Sequence, residues 1–279
     1  MDLVIQSLAP LSDADADTVR MLSSGAARQR IDPRAWRIED AEASTAAAVA
    51  AWCQPRQVDY AFVARRALRD FGLFATDMDS TLITIECIDE IADFCGLKAQ
   101  VAAITEASMR GEIKDFRESL TRRVALLRGL DVSALEQVYQ DRLRLSPGAE
   151  PLLAGVKAAG LATLLVSGGF VFFTERLKAR LGFDAAYANT LEVDHGKLTG
   201  RVLGEIVDAS VKARHLLDTC AAHGVEASRS IAAGDGSNDL LMMKQAGLSV
   251  AFRAKPVVRA QADVALDFVG LDGILKLFV

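Results

Sequence analysis

Leu73-Phe74-Ala75-Thr76-Asp77-Met78-Asp79-Ser80-Thr81 is the stretch on which the fold turns. The apolar run over residues 73–77 is too short for a helix, and its unbroken hydrophobicity fits a strand buried on both faces. It ends in two carboxylates two residues apart. Burial raises a carboxyl pKa, and a second carboxylate nearby raises it further, so the pair needs compensation. A hard, oxygen-preferring divalent cation such as Mg²⁺ is the simplest source of it. On its own, D-x-D also reads as a solvated turn.

Outward from this strand the pattern repeats. Short apolar runs over 161–167, 230–235 and 248–252, and a weaker one over 264–266, alternate with helical patterns over 151–159, 172–181, 211–223 and 238–246. Strand–helix alternation predicts a parallel sheet with helices on both faces, whose ligands lie at the carboxyl ends of the strands. Those ends carry the chemistry. Gly234-Asp235-Gly236-Ser237-Asn238-Asp239 places two more carboxylates and an amide after one strand, though alone it is also a glycine-rich turn and helix cap. Ser167-Gly168-Gly169 offers a hydroxyl and open amides suited to phosphate oxygens after another, although Ser-Gly-Gly is common at strand ends. Lys212, on the helix feeding the strand over 230–235, is a candidate point charge; a lone lysine is otherwise a solvated one.

Two stretches break the rhythm. Residues 86–145 are almost wholly helical in pattern and read as an inserted cap. Residues 188–204 alternate around His195-Gly196 and read as a hairpin. The first 70 residues hold one of the 20 glycines but three of the six prolines and both tryptophans, which marks a separate segment. There the pattern gives a strand over 3–8, a helix after Ser12, a strand around Trp36 and an alanine-rich helix near 40–53: a small α+β module of unassigned role.

Composition narrows the function. Of 279 residues, 51% are hydrophobic and 25% charged, with a net charge of −5, the balance of a soluble globular protein. A mildly acidic chain without a basic block disfavours nucleic acid and anionic membrane as partners. Cys53, Cys87, Cys95 and Cys220 form no C-x-x-C pair and read as reduced thiols, and three histidines argue against a zinc site. Residues 158–174 are uncharged, but the double glycine within them breaks a membrane helix. The start of the chain lacks a signal-peptide pattern. A cytoplasmic protein is expected.

The order acid pair, Ser-Gly, lysine, G-D-G-x-N-D resembles the haloacid dehalogenase superfamily of phosphotransferases over about residues 72–270. Asp77-Met78-Asp79-Ser80-Thr81, Glu86-Cys87-Ile88-Asp89-Glu90-Ile91, Met109-Arg110-Gly111-Glu112 through Phe116, Ser119-Leu120-Thr121-Arg122-Arg123-Val124, Ser167-Gly168-Gly169-Phe170, and Gly196-Lys197-Leu198-Thr199-Gly200 are similar to the phosphoserine phosphatases in particular. The spacing from Met109 to Phe116 is one residue longer than that family's. The resemblance implies an α/β fold, a Rossmann-like parallel sheet with an inserted helical cap and the small N-terminal α+β segment. It implies Asp77 as nucleophile, Asp79 as general acid and base, and Mg²⁺ held by Asp77, the Asp79 main-chain carbonyl and Asp235, with Asp239 in support. Lys212, Ser167, Gly168 and Asn238 would hold the phosphoryl oxygens. Glu86 would take the substrate's ammonium and Arg123 its carboxylate, with Phe116 and Met109 closing over it. The implied reaction is Mg²⁺-dependent hydrolysis of O-phospho-L-serine, the last step of serine biosynthesis. Transfer of the phosphoryl group to homoserine, or a catalytically silent amino-acid sensor, are the rival readings. Oligomeric state is not legible, and a homodimer is left open.

Overall fold

The first 63 residues of the computed structural model close a sheet of their own. Strand β1 (Asp2–Ser7) leads into α1 (Asp13–Leu22), β2 (Ala27–Asp32), β3 (Ala35–Glu39), α2 (Ala46–Cys53) and β4 (Val58–Val63), and the antiparallel sheet order is β2-β3-β1-β4. All six residues of β1 are buried, as befits a strand paired on both edges. Ser12 starts α1: its hydroxyl accepts from Asp15 N, and the Asp15 carboxylate accepts from Ser12 N in return. Two strands here carry no clear sequence signal. β2, reading Ala-Arg-Gln-Arg-Ile-Asp, lies at the sheet edge with four of six residues exposed, so it has no apolar face to betray it. β4 follows the alanine-rich helix after only a short turn.

The structure describes residues 1–109, 112–113 and 115–279, with Ser108 and Met109 described in backbone only. After the N-terminal sheet come β5 (Leu73–Thr76), α3 (Cys87–Phe94), α4 (Lys98–Met109), α5 (Phe116–Ala125), α6 (Ser133–Asp141), α7 (Ala149–Ala158), β6 (Ala162–Phe170), α8 (Val171–Leu181), β7 (Ala185–Asp194), β8 (Lys197–Leu203), α9 (Ala209–Ala222), β9 (Ser230–Gly234), α10 (Leu240–Gln245), β10 (Leu248–Phe252), α11 (Pro256–Arg259) and β11 (Val264–Leu266). The second sheet runs β11-β10-β9-β5-β6-β7-β8, parallel throughout except for the antiparallel β7–β8 hairpin. The expected parallel sheet with helices on both faces is therefore present. Sequence periodicity reads β7 only as a hairpin arm; it also extends the parallel sheet beside β6. α10 is shorter than the pattern over 238–246, because Ser237–Asp239 form a tighter 3₁₀ turn. No described helix is long and apolar enough to cross a membrane.

Helices α3–α6 form the insertion. Its two ends leave the sheet side by side: Thr84 N donates to Arg144 O and Ser146 N to Leu82 O, both at 2.9 Å. The tip of the β7–β8 hairpin supports the far side. Gly129 N donates to Leu198 O, and Leu198 N to Leu130 O, each at 2.8 Å. The cap thus hangs over the carboxyl ends of β5 and β6.

Candidate active site

Asp77 is the first residue past β5. Its N–H donates to Ala233 O on β9 at 3.0 Å, so the ladder continues one step beyond the strand and fixes the side chain between two strand ends. Lys212 reaches it from the first turn of α9, a helix whose start is capped by the Asp208 carboxylate accepting from Ser210 N and Val211 N. The ammonium is fully buried and donates to Asp77 Oδ1 and Asp239 Oδ1, each at 2.7 Å. Asp239 Oδ2 accepts from Gly236 N at 3.0 Å, so both its oxygens are engaged and it serves to hold Lys212 and the turn. Thr81 Oγ1 donates to Asp235 Oδ1 at 3.2 Å.

The carboxylates of Asp77, Asp235 and Asp239 bring oxygens within 4.8 Å of one another, with the Lys212 ammonium bonded to two of them. Burial first, then the Asp239 charge, pushes Asp77 well above the usual carboxylate range and Asp235 up to about 6. The Lys212 ammonium is held in its charged form by Asp239 and Asp77, which outweigh its burial. An oxygen-only donor set short of positive charge fits a hard divalent cation. The Asp79 carboxyl is not part of this cluster. It turns to the cap side, where Cys87 N donates to its Oδ1 at 3.0 Å. The next residue, Ser80, adopts the left-handed region with φ of 55°. Burial, then the neighbouring Glu86 charge, raises Asp79 to about 7. Gly169 packs so closely on it that a Cβ there would lie 2.5 Å from Asp79 Oδ2.

One cavity of about 490 Å³ gathers these groups. Asp77, Asp79, Asp235, Asn238, Ser167 and Gly168 form its sheet wall, and Glu86, Phe116 and Arg123 its cap wall. Ser167 Oγ accepts from Gly169 N at 2.8 Å, and the Phe116 ring closes over Gly168, whose added Cβ would sit 3.0 Å from Cζ. Ser80 Oγ donates to Glu86 Oε1 at 2.7 Å, and Arg123 Nε to Ser119 O at 3.4 Å. The structure therefore brings the sequence-chosen residues to one site, with Lys212 behind the wall against Asp77. The expectation for Met109 lies outside the described side chains.

Three residues near the site escape sequence reasoning. Asn189, buried on β7, donates to Gly168 O and accepts from Val207 N, tying the Ser-Gly-Gly turn to the approach to α9. Lys255 lines the cavity from the loop after β10; the rule that ligands gather at strand carboxyl ends points to that loop but not to the residue. Asp89 lines it from α3, where sequence alone reads a carboxylate in a helix's first turn.

Comparison with known proteins agrees with this geometry. The haloacid dehalogenase-like hydrolase family matches residues 74–244, and a domain family of unknown function matches residues 3–49. A phosphoserine phosphatase of Polaromonas sp. (strain JS666) is 56% identical over 214 residues, which is 75% of this chain and 91% of the relative. A haloacid dehalogenase family hydrolase of Salmonella enterica serovar Typhi superposes with a TM-score of 0.89 at 32% identity, covering 100% of this chain and 99% of the other. A phosphoserine phosphatase solved as a phospho-aspartyl intermediate analogue superposes with a TM-score of 0.70 at 37% identity, covering 77% and 100%. With its acidic cluster, its buried lysine and this degree of identity, the chain belongs to the haloacid dehalogenase-like hydrolases and, among them, to the phosphoserine phosphatase family.

Proposed function

We propose that this chain hydrolyses O-phospho-L-serine to L-serine and phosphate by way of an aspartyl-phosphate on Asp77, acting in the cytoplasm as the last step of serine biosynthesis. One observation carries the reading. Asp77, held by Lys212, shares its cavity with a cap wall that offers both a carboxylate, Glu86, and a guanidinium, Arg123. A zwitterionic amino acid bearing a phosphate needs that charge pattern: an anion for its ammonium, a planar cation for its carboxylate, and a cationic centre for its phosphate.

The residues divide the work. An Asp77 oxygen attacks phosphorus and the serine oxygen leaves, taking the proton that Asp79 holds near neutral pH. Water then gives a proton to Asp79 and attacks phosphorus, the bond to Asp77 breaks, and phosphate departs. Asp77, Asp235 and the main-chain carbonyl of Asp79 would hold Mg²⁺, which when bound neutralises charge on the phosphoryl oxygens. Lys212 does the same from behind Asp77, while Ser167, the Gly168 amide and Asn238 orient those oxygens. Phe116, lying over Gly168, keeps bulk water from the acyl phosphate.

A phosphate-release panel of small phosphomonoesters, run with Mg²⁺ and with chelator, tests this. O-phospho-L-serine is expected to be turned over best, with the activity lost on chelation and restored by Mg²⁺. A better simple phosphomonoester would overturn the substrate, and formation of phosphohomoserine in the presence of homoserine would replace hydrolysis with transfer.

A further inference from the structure

Lys255 borders the cavity, yet none of the roles above uses it. It lies in the loop after β10, and its N–H donates to Asp235 O at 3.1 Å. That bond fixes the root of the side chain beside the turn that carries Asp235 and Asn238, both of which line the cavity. Local folding gives no reason for a lysine here. The residue occupies the cap position at the start of α11, where a side-chain oxygen would serve, and its side chain makes no capping bond. Its ammonium is also uncommitted. Lys212 is fully buried and spent on Asp77 and Asp239, whereas Lys255 is exposed and forms no ion pair among the described residues.

The charges around the cavity say what such a cation is for. Asp77, Asp79, Glu86, Asp89 and Asp235 line it, and among the described residues only Arg123 and Lys255 line it with positive charge. Arg123 stands on α5, in the cap wall. A phosphoryl dianion entering this acidic enclosure therefore meets one lining cation on the sheet side, Lys255. A lysine ammonium is a compact charge on a flexible stem, able to follow an oxygen that faces outward. We infer that Lys255 is a further phosphate-binding residue, its ammonium taking the phosphoryl oxygen on the solvent side and leaving those nearer Asp77 to Lys212, Ser167, Gly168 and Asn238. This deepens the phosphatase reading and rests on it. The phosphoryl group is anionic before, during and after transfer, so the contact strengthens ground and transition states alike. Such uniform binding lowers KM and leaves kcat where it was.

The test uses the full-length protein with saturating Mg²⁺ and inorganic phosphate as the probe. For Lys255→Met, KM for O-phospho-L-serine and the inhibition constant of phosphate are expected to rise together by about threefold to thirtyfold. That range lies between an exposed ion pair and a hydrogen bond to a charged group. Lys255→Arg, which keeps the charge, should stay within about threefold of the parent on both, and kcat of Lys255→Met should change less than KM. The Mg²⁺ concentration for half-maximal activity separates the alternative, since a lysine that only offsets Asp235 moves that concentration and leaves phosphate inhibition alone. An inhibition constant raised less than about threefold in Lys255→Met, a shift confined to Mg²⁺, or a loss carried by kcat would overturn the assignment. Failure of the substrate reading shows separately: where another phosphomonoester is turned over better, phosphate inhibition of that reaction still decides the role of Lys255.

Discussion

Lys212 has no exposed surface, yet it carries a full charge into the core between Asp77 and Asp239. Such a group persists only because each carboxylate is within hydrogen-bond distance and would be more costly alone. The same environment separates the two acids of the D-x-D pair by role. Asp77 faces the ammonium and the acidic cluster, whereas Asp79 faces Cys87 N and the Glu86 charge and sits at about 7. A carboxyl there is mostly protonated at about pH 6 and mostly ionised at about pH 8. Since the first step needs its proton, kcat/KM for phosphoserine should fall as pH rises through this interval. Glu86→Gln removes the like charge beside Asp79, lowers its pKa and should move that limb to lower pH. A pH–rate profile of the two proteins measures this; an unmoved or upward-shifted limb would dissociate Asp79 from the proton transfer.

Among the elements, the most legible were those with both faces buried. β5, β6, β9 and β10 announce themselves as short, mostly apolar runs because both of their faces are covered, and their ends carry Asp77, Ser167 and Asp235. β2 was silent because an exposed edge strand of arginines has no reason to look like a strand. Asp89 was illegible for a different reason: its place at the cavity comes from the packing of the cap, which spacing along the chain does not encode. Asn189 likewise acts through contacts 18 and 21 residues away. The β6–α8 junction shows how finely the elements are fitted. Gly169→Ala would drive a Cβ to 2.5 Å from Asp79 Oδ2 and 2.8 Å from Met78 Cε, so the carboxyl that Cys87 N holds through Oδ1 has to shift. Turnover is expected to drop at least about tenfold, the penalty for a small misplacement of a catalytic group. Wild-type rates in that variant would show the close approach to be immaterial.

On the scale of the whole molecule, the N-terminal sheet is bolted to the catalytic body. The Asp59 carboxylate on β4 accepts from three consecutive amides, Asp267, Phe268 and Val269, at 2.8–3.0 Å. Buried Arg37 on β3 donates to Lys276 O and Phe278 O as well as to Asp2. Asp59→Ala leaves three amides without their acceptor, and hydrogen bonds to a charged group contribute about 1.5–3 kcal/mol each, not additively. The variant should lose several kcal/mol, about 3 or more, in urea denaturation, with residues 1–63 becoming protease-sensitive first; an unchanged midpoint would mean that the apolar contacts alone hold the sheet in place. The cap leaves the sheet through the paired segments Leu82–Thr84 and Arg144–Ser146 and is braced on its far side by the β7–β8 hairpin. All of these parts serve one covalent event at the end of β5. Acid quench of the enzyme during turnover of ³²P-labelled phosphoserine, followed by peptide mapping, reads that event directly. Label should appear on the peptide containing Asp77 and be absent from Asp77→Asn; label on any other residue, or Asp77→Asn turning over at the parent's rate, would contradict nucleophilic attack by Asp77.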